Sequence, residues 1–311
     1  MKKKRPFGNP AIYLWFLLCT FALSNLSCGV SNQDTQDAIA ADSRVAEDLA
    51  SSSEINVEQL KIAITPSYSK DNETTQDFTS LETYLTEQLE FPVTIELADS
   101  YDDAIELMAN ETTLLGHLGP FSYIKAKSLN SDLEPIVTSI QPETGRPWYT
   151  SVIVVNVTSG IANLSDIKGK HFSFVNDSST SGFLVPTAAF KDLDINPELD
   201  FAAVSYSGSH DKNIDALAAG EVDAAAIAAP IYLGAKQAGK LPEEQFVVIW
   251  ESDPIPGSPV VINTKIPEKL QNKIKEVFVN APPAVVNVLE QNENEGAGYT
   301  LVRDDDYRLL R

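Results

Sequence analysis

The chain has 311 residues and a formal net charge of −21 at pH 7, with a sequence pI near 4.4. This acidity argues against nucleic acids and anionic membrane surfaces as partners, and it means that any anionic ligand is repelled at long range. A specific anion site would therefore rely on short-range hydrogen-bond donors and dipoles, and the length allows one large or two medium domains with a sizeable core.

The first 27 residues are predicted to be a signal peptide. Lys2–Arg5 is basic, and Ala11–Leu23 is an apolar run too short to cross a bilayer comfortably. A small residue then precedes Cys28, an arrangement that resembles a bacterial lipoprotein signal, in which the cysteine becomes the lipidated first residue. Asn25 stands three positions before the cysteine, where that pattern has Leu. Lipidation of Cys28 and ordinary signal-peptidase cleavage are therefore equal alternatives, and both are favoured over an uncleaved membrane anchor.

Residues 28–54 are polar and acidic, without an aromatic residue. A segment of this composition cannot bury enough apolar surface to order itself, so we expect a flexible tether. Cys19 lies in the apolar run, which leaves the mature chain with Cys28 at most, and the three histidines are scattered. We therefore expect no disulfide, no metal site and no cofactor.

From Gln59 onward, short apolar strands alternate with amphipathic helices. This alternation predicts an α/β fold with a mainly parallel sheet covered on two faces. The first half is predicted to contain strands Leu60–Thr65, Val93–Leu97, Leu114–Leu118, Pro135–Ser139 and Tyr149–Asn156, with helices Phe78–Leu89, Tyr101–Ala109 and one ending at Leu129. The second half is predicted to contain strands His171–Val175, Phe201–Tyr206, Val222–Ala228, Phe246–Glu251 and Val260–Asn263, a turn of helix at Leu164–Ile167, and helices Gly182–Leu193, Asp211–Ala219, Pro267–Val279 and Pro283–Leu289.

Two similar α/β units in sequence predict two lobes. We assign residues 55–150 and 260–311 to the first lobe and residues 151–259 to the second, which would be inserted through two crossings of the chain. A ligand would bind in the cleft between the lobes, near the carboxyl ends of strands and the N-termini of helices.

The stretch Asn176–Pro186 contains the strongest candidate site. Its centre, Ser179-Thr180-Ser181-Gly182, places three hydroxyls and a glycine between a predicted strand and a predicted helix. Free N–H groups and the positive end of the helix dipole meet at such a junction, which suits a small oxyanion. The alternative is that a Ser or Thr here only caps its own helix.

Six motifs occur in an order similar to that of a known family. They are Leu118–Tyr123, Asp177–Pro186, Ser209-His210-Asp211, Gly220–Ala224, Pro254–Pro259 and Asp306-Tyr307. With these motifs, the chain resembles the phosphonate-type substrate-binding proteins of ABC transporters, which have the type II periplasmic-binding-protein fold. The resemblance covers most of Leu60–Tyr307. It implies a two-lobed binding protein for phosphonates, phosphite or phosphate.

The resemblance also implies the ligand-binding residues. The family holds the phosphonate oxygens with a Ser-Thr-Ser motif, here Ser179, Thr180 and Ser181, and with a histidine, here His210. Two family tyrosines that line the cleft correspond to Tyr101 and Tyr149. Phenol and hydroxyl groups donate hydrogen bonds without adding a full charge.

Each candidate also has a purely structural alternative. Tyr101 and Tyr149 could be ordinary half-buried aromatic residues, and His210 could satisfy a helix N-terminus beside Asp211. Tyr123, together with Ser122, follows a predicted strand that faces the cleft, so we add Tyr123 to the candidates, although its ring could equally support packing.

The chain departs from the family at two positions that matter for specificity. Relatives that bind an aminoalkyl phosphonate hold its ammonium group with two carboxylates, and Pro230 and Ser258 stand at those positions here. Asp253 is close to the second position but displaced in sequence. An unpaired, desolvated ammonium group is costly. We therefore expect a ligand without an amine, with phosphite or methylphosphonate ahead of phosphate.

These observations predict a monomeric, extracytoplasmic protein that captures a phosphorus oxyanion by cleft closure and passes it to a membrane permease. A receptor subunit that senses the ligand would have the same sequence features. An enzyme that acts on a phosphorylated molecule is the third alternative, and Ser207–Asp211 does bring Ser, His and Asp together. However, the chain has no Gly-x-Ser-x-Gly elbow and no P-loop, so we predict that it is not an enzyme.

Overall fold

A computed structural model describes residues 57–67, 77–142, 144–290 and 297–311. The predicted signal peptide, Cys28 and the predicted tether lie outside the described residues. All elements considered below belong to one compact unit.

Thirteen strands are described, and eleven of them form two β-sheets. In chain order they are β1 Leu60–Ile64, β2 Val93–Leu97, β3 Leu115–His117, β4 Leu133–Ser139, β5 Trp148–Tyr149, β6 Ser151–Asn156, β7 His171–Phe174, β8 Ala203–Tyr206, β9 Ala224–Ala228, β10 Phe246–Glu251, β11 Ile255–Pro256, β12 Pro259–Asn263 and β13 Tyr299–Leu301. The six-stranded sheet has the order β13-β4-β12-β3-β1-β2, and the five-stranded sheet has the order β10-β6-β9-β7-β8.

The expectation of a mainly parallel sheet is wrong, because both sheets are mixed. In the six-stranded sheet, β1 is parallel to β2 and β3, whereas β12 is antiparallel to β3 and β4, and β13 is antiparallel to β4. In the five-stranded sheet, β7 is parallel to β8 and β9, whereas β6 is antiparallel to β9 and β10. Parallel neighbours need a crossover helix. Strands β6 and β12 are the first strands that the chain forms after it crosses from one sheet to the other. Among the described residues, no crossover helix directly precedes either strand, and both are antiparallel to their neighbours.

These connections run side by side. The predicted strand Tyr149–Asn156 is in fact two strands, because β5 lies outside the sheet that β6 enters. β5 pairs antiparallel with β11, so that Tyr149 lies opposite Ile255. The chain thus leaves the six-stranded sheet after β4 and returns to it at β12, and β5 and β11 form a two-stranded ribbon at the two crossings.

Helices cover both sheets. In chain order they are α1 Thr79–Leu89, α2 Tyr101–Ala109, α3 Pro120–Leu129, α4 Val185–Asp192, α5 Pro197–Asp200, α6 His210–Ala219, α7 Ala229–Gln237, α8 Glu268–Val279 and α9 Pro283–Glu290. A π-helical turn, Thr180–Leu184, leads into α4, and 3₁₀ turns occupy Leu164–Ile167 and Asp304–Leu310. We call the six-stranded sheet with α1–α3, α8 and α9 the first lobe, and the five-stranded sheet with α4–α7 the second lobe.

Five of these elements were not predicted, namely α5, α7, β11, β13 and the 3₁₀ turn at Asp304–Leu310. Helix α7 contains Pro230 and Gly234, which in sequence indicate a loop. Pro230 lies in the first turn of the helix, where its missing N–H has no intrahelical partner to lose. A proline at that position is therefore compatible with the helix.

Each lobe has its own apolar core. In the first lobe, one cluster joins β1 to α1 and α8, and another joins α2, α3 and Tyr307. In the second lobe, one cluster lies under α6 and α7, and the other is rich in phenylalanine, with Phe172 against Phe174 and Phe190. Across the described ranges, no helix is both long enough and apolar enough to cross a membrane.

Candidate functional site

A small cavity lies between the two lobes. It is lined by Thr65, Ser67, Tyr101, Gly119, Gln141, Tyr149, Ser179, Thr180, Ser181, His210, Ala228, Pro230, Ile231 and Ser258. The volume of the cavity is about 60 Å³. On the same scale, a single buried water molecule needs about 10–15 Å³. The cavity therefore suits a ligand of a few heavy atoms.

Five helices begin at this cavity. Each of these helices contributes a lining residue from its N-cap or first turn. The residues are Tyr101 of α2, Gly119 of α3, Thr180 of the π turn that precedes α4, His210 of α6 and Ala228 of α7. The first N–H groups of a helix have no intrahelical acceptor, and the helix dipole is positive at that end. Such a convergence favours a bound anion without a charged side chain.

The predicted Ser-Thr-Ser turn lines the second-lobe side of the cavity. Ser179 is the N-cap of the π turn, and its Oγ accepts a hydrogen bond of 3.0 Å from the N–H of Gly182. The backbone of Gly182 runs so close to Val175 that a Cβ at position 182 would lie 2.5 Å from the Val175 side chain. Ser179 therefore caps the turn, and Thr180 and Ser181 in the same turn line the cavity.

His210 is buried at the start of α6 and is held in its neutral form. Burial lowers the pKa of the imidazole to about 4, although the neighbouring Asp211 carboxylate opposes this shift. The Nδ1 atom accepts a hydrogen bond of 3.2 Å from the N–H of Ala228. The proton of the neutral ring is therefore on Nε2, which leaves one ring N–H as a donor for a ligand in the cavity.

Tyr101 and Tyr149 both line the cavity. Tyr101 is buried at the first position of α2, and its hydroxyl is hydrogen-bonded to the side chain of Ser179. Burial raises the pKa of this phenol well above its usual range, and the nearby Tyr149 and Asp211 raise it further. Tyr101 therefore keeps its proton at all physiological pH values and remains a possible donor.

Tyr123, which was predicted as a site residue, is not among the residues that line the cavity. Its ring is completely buried and packs edge-on against Tyr307, with 5.3 Å between the ring centroids. Its hydroxyl donates to Asp304 Oδ1. Tyr123 lies on the face of α3 that packs against the C-terminal 3₁₀ turn. The sequence pattern did not predict that turn.

The wall of the cavity is polar but carries no formal charge. Its described lining residues include no Asp, Glu, Lys or Arg. Pro230 and Ser258 are both part of this wall, whereas Asp253 is exposed and is not. Ala228, Pro230 and Ile231 come from one stretch at the start of α7 and provide an apolar region beside the donors.

Direct hydrogen bonds join the two lobes around the cavity. The N–H of Phe121 donates to Thr180 Oγ1 at 2.8 Å, and the N–H of His210 donates to the carbonyl of Ser67 at 3.0 Å. Because Thr180 Oγ1 is an acceptor in this contact, its hydroxyl proton is still available to a ligand. The two lobes are therefore in direct contact at the edge of the cavity.

The sequence reasoning missed several lining residues. Thr65 and Ser67 follow β1, and Gly119 follows β3; these strands are parallel neighbours whose carboxyl ends face the cavity. The rule that ligands bind at the carboxyl ends of parallel strands could have identified all three. Gln141 follows the antiparallel strand β4, and no comparable sequence signal indicates it.

The arrangement of polar groups does not form a catalytic triad. Ser209 Oγ donates to Asp211, whereas His210 Nδ1 accepts from the backbone of Ala228. Ser209 is thus bonded directly to Asp211, and His210 does not connect the two as the histidine of a catalytic triad would. Within the described ranges, no group of three or more His, Cys, Asp or Glu side chains is placed to hold a metal ion.

A family model and two curated proteins match this chain. The model for "ABC transporter, phosphonate, periplasmic substrate-binding protein" matches residues 62–307. The Phosphate-import protein PhnD of Mycolicibacterium smegmatis is 31% identical over 189 residues, which cover 58% of this chain and 59% of that protein. The Phosphonates-binding periplasmic protein of Escherichia coli is 36% identical over 141 residues, or 44% of this chain and 41% of that protein. The matched regions thus span between about two fifths and three fifths of these relatives.

A solved structure shows the same fold. PhnD1 from Prochlorococcus marinus, determined in complex with methylphosphonate, has a TM-score of 0.72 at 18% sequence identity. The match covers 82% of this chain and 96% of that chain. It supports the type II periplasmic-binding-protein fold that was predicted from the sequence.

Proposed function

Because the chain belongs to the family of periplasmic substrate-binding proteins of phosphonate ABC transporters, we propose that it captures a small phosphorus oxyanion between its lobes and delivers it to a membrane permease. Methylphosphonate and phosphite are the proposed ligands, ahead of inorganic phosphate. The family consists of transport components, so the proposal assigns no catalytic residue.

The observation that supports this proposal most directly is the chemistry of the cavity. Five helix N-termini, the hydroxyls of Ser179, Thr180 and Ser181 and the neutral ring of His210 meet in a space of about 60 Å³. Each of these groups stabilises a negatively charged oxygen over a short distance. This is the type of site that a chain with a net charge of −21 needs to bind an anion.

The ligand preference rests on the apolar part of the wall. A P–H or P–CH₃ group can lie against Ala228, Pro230 and Ile231 without loss, whereas the extra hydroxyl of phosphate would lose water there without gaining a partner. An ammonium group would meet Pro230 and Ser258, and no carboxylate stands among the described lining residues. The same wall therefore disfavours 2-aminoethylphosphonate.

Binding is proposed to work by closure of the cleft. The oxyanion would first dock on the Ser179–Ser181 turn of the second lobe, and Tyr101 and Tyr149 would then reach it from the first lobe and the ribbon. A ligand favours the closed form only through the contacts that it makes in that form and not in the open one. The β5–β11 ribbon, which spans both crossings, is the proposed hinge.

We further propose that the mature protein acts as a monomer outside the cytoplasm. Lipidation at Cys28 would keep it at the membrane, and the acidic segment 28–54 would let the folded part reach a permease. Metabolic labelling with a fatty-acid analogue, compared between the wild type and Cys28→Ser, tests this attachment. Equal labelling of the two proteins would contradict it.

The function is tested by calorimetric titration of the purified protein. The ligands are phosphite, methylphosphonate, phosphate and 2-aminoethylphosphonate, with methanesulfonate as a probe of the same shape that lacks phosphorus. Tight binding of methylphosphonate or phosphite and weak binding of the amine support the proposal. Binding of none of the phosphorus compounds, or tighter binding of the amine than of methylphosphonate, would contradict it.

Substitutions at Thr180 test whether the ligand binds in the cavity. Thr180→Ala removes a hydroxyl that contacts the first lobe and faces the cavity, and we expect the dissociation constant to rise about tenfold or more. Thr180→Ser keeps the hydroxyl and should bind nearly as well as the wild type. The melting temperature without ligand should change little in either variant. An unchanged affinity in Thr180→Ala would count against the site.

A further inference from the structure

A second polar cluster joins the lobes outside the ligand cavity. It comprises Asp102 on α2, Lys125 on α3, and Asp177 and Ser178, which precede the π turn. None of these four residues lines the cavity. We call them the Ser178 latch.

Ser178 is the centre of the latch. It belongs to the second lobe, and no part of it is accessible to solvent. Its Oγ donates to Asp102 Oδ1 at 2.8 Å and accepts from Lys125 Nζ at 2.6 Å, so it contacts two helices of the first lobe at once. Its carbonyl accepts a further hydrogen bond of 2.9 Å from Ser122 Oγ of α3. One small residue thus makes three hydrogen bonds across the cleft.

Lys125 also balances the charges of the latch. Its Nζ lies 3.4 Å from Asp177 Oδ1, and Asp177 Oδ1 lies 3.1 Å from the same Ser178 Oγ that contacts Asp102. Two carboxylates from opposite lobes are therefore brought to one hydroxyl, and Lys125 is the cation between them. Without Lys125, the two like charges would repel each other across the cleft.

We propose that the Ser178 latch holds the lobes together directly, so that the ligand-free protein already populates the closed form and the latch sets ligand affinity from outside the binding site. The effect on affinity rests on the proposed function, whereas the effect on closure does not. All the groups of the latch are part of the protein, and each hydrogen bond needs only the closed arrangement of the two lobes. A binding-competent state that is populated in advance raises apparent affinity in proportion to its population.

The test compares Lys125→Met with a matched variant on the same helix. Lys127 is also on α3, but it bonds to Leu133 and Glu134 within the first lobe. Lys127→Met therefore removes the same charge without touching the latch. We expect Lys125→Met to raise the dissociation constant for methylphosphonate about tenfold, mainly through faster dissociation, and Lys127→Met to change it less than about twofold.

A second substitution separates a latch from a simple loss of stability. Asp177→Asn removes one of the two carboxylates that face each other, so Lys125→Met with Asp177→Asn should bind more tightly than Lys125→Met alone. The deficit of Lys125→Met should also shrink as salt is added, because repulsion between exposed charges is screened. A variant that is merely less well folded would not regain binding specifically through the Asp177→Asn change, so the double variant is the decisive comparison.

Closure itself is measured without ligand. Spin labels are attached through Leu129→Cys in the first lobe and Leu199→Cys in the second, both exposed positions, with Cys19 and Cys28 replaced by Ser. The wild type should show a population at the short distance of the closed form, and Lys125→Met should lose that population while Lys127→Met keeps it. Identical distance distributions in the two variants would overturn the latch. If no oxyanion binds, the proposed function fails, yet this measurement still decides whether the latch exists.

Discussion

At the level of single residues, the candidate site consists of polar groups that remain neutral, and neutral groups are the donors proposed to hold the anion. His210 is the clearest example, because its buried ring keeps one N–H for the cavity and uses its other nitrogen to satisfy the backbone of Ala228. Tyr101 likewise keeps its proton, since burial raises the pKa of its hydroxyl. Binding should therefore depend on the ionisation of the ligand more than on that of these side chains.

The neutral state of His210 makes folding stability depend on pH. The unfolded chain binds a proton near the ordinary histidine pKa of 6.5, whereas the folded protein does so only near 4. Between these values the unfolded state holds more protons, so stability is lost as the pH falls through this window, by about 1 kcal/mol per pH unit. Urea unfolding between pH 4.5 and 7 should show a smaller pH dependence in His210→Gln than in the wild type. Equal slopes would contradict the buried neutral ring.

Ser258 tests the basis of ligand selectivity. Ser258→Asp places a carboxylate in the cavity wall, where it repels the oxyanion and can pair with an ammonium group. We expect methylphosphonate to bind at least about tenfold more weakly and the ratio of affinities to shift toward 2-aminoethylphosphonate. Competitive calorimetry with both ligands measures this ratio. Ser258→Asn is the uncharged control, and an equal shift in that variant would show that size, not charge, is responsible.

At the scale of elements, the positions of the helix starts create the site. The π turn is the tightest of them, because Gly182 lies directly against Val175, which follows strand β7. A glycine is needed there for space and not for an unusual backbone angle. The tight packing holds Ser179, Thr180 and Ser181 at the wall of the cavity.

Gly182→Ala should therefore damage both stability and binding. The added Cβ would lie 2.5 Å from Val175 and 2.7 Å from Ser179 Oγ, so the turn must shift. We expect a loss of about 1–3 kcal/mol in unfolding free energy, together with weaker methylphosphonate binding. Gly234→Ala in α7 is the matched control, because a Cβ there meets nothing within 4 Å. That control should leave binding intact and raise stability by about 0.5–1 kcal/mol.

At the scale of the whole molecule, an acidic protein is proposed to bind an anion. The net charge of −21 acts over long distances, whereas the helix N-termini and hydroxyls act only within the cavity. Affinity and association rate should therefore respond to different parts of the molecule. The long-range charge should slow the approach of the ligand without weakening the contacts of the bound state.

Salt should consequently accelerate binding. Screening shortens the range of the repulsion to roughly 10 Å at 0.1 M salt, so we expect the association rate constant for methylphosphonate to rise between low and moderate ionic strength. Stopped-flow fluorescence at constant pH and viscosity measures this rate. A rate constant that falls with salt would indicate that a local positive field guides the ligand despite the overall charge.

Much of this architecture was predictable from local patterns. Most strands and helices were placed correctly because burial imposes a period on the sequence, and the Ser179–Ser181 turn was found because hydroxyl residues and a glycine mark a strand-to-helix junction. The order of the six motifs along the chain also indicated the family. By contrast, α7 was missed because Pro230 and Gly234 imitate a loop, although a proline is compatible with a first turn.

The two-lobed α/β fold and the position of the Ser-Thr-Ser turn could be predicted from the sequence, because both follow from residues that are neighbours along the chain. Tertiary structure alone decided the rest. Tyr123 is buried against Tyr307 and is hydrogen-bonded to Asp304, 181 positions later, so its neighbours are not visible locally. Strand direction in the mixed sheets and the Ser178 latch likewise depend on segments that are distant in sequence and meet only when the chain folds.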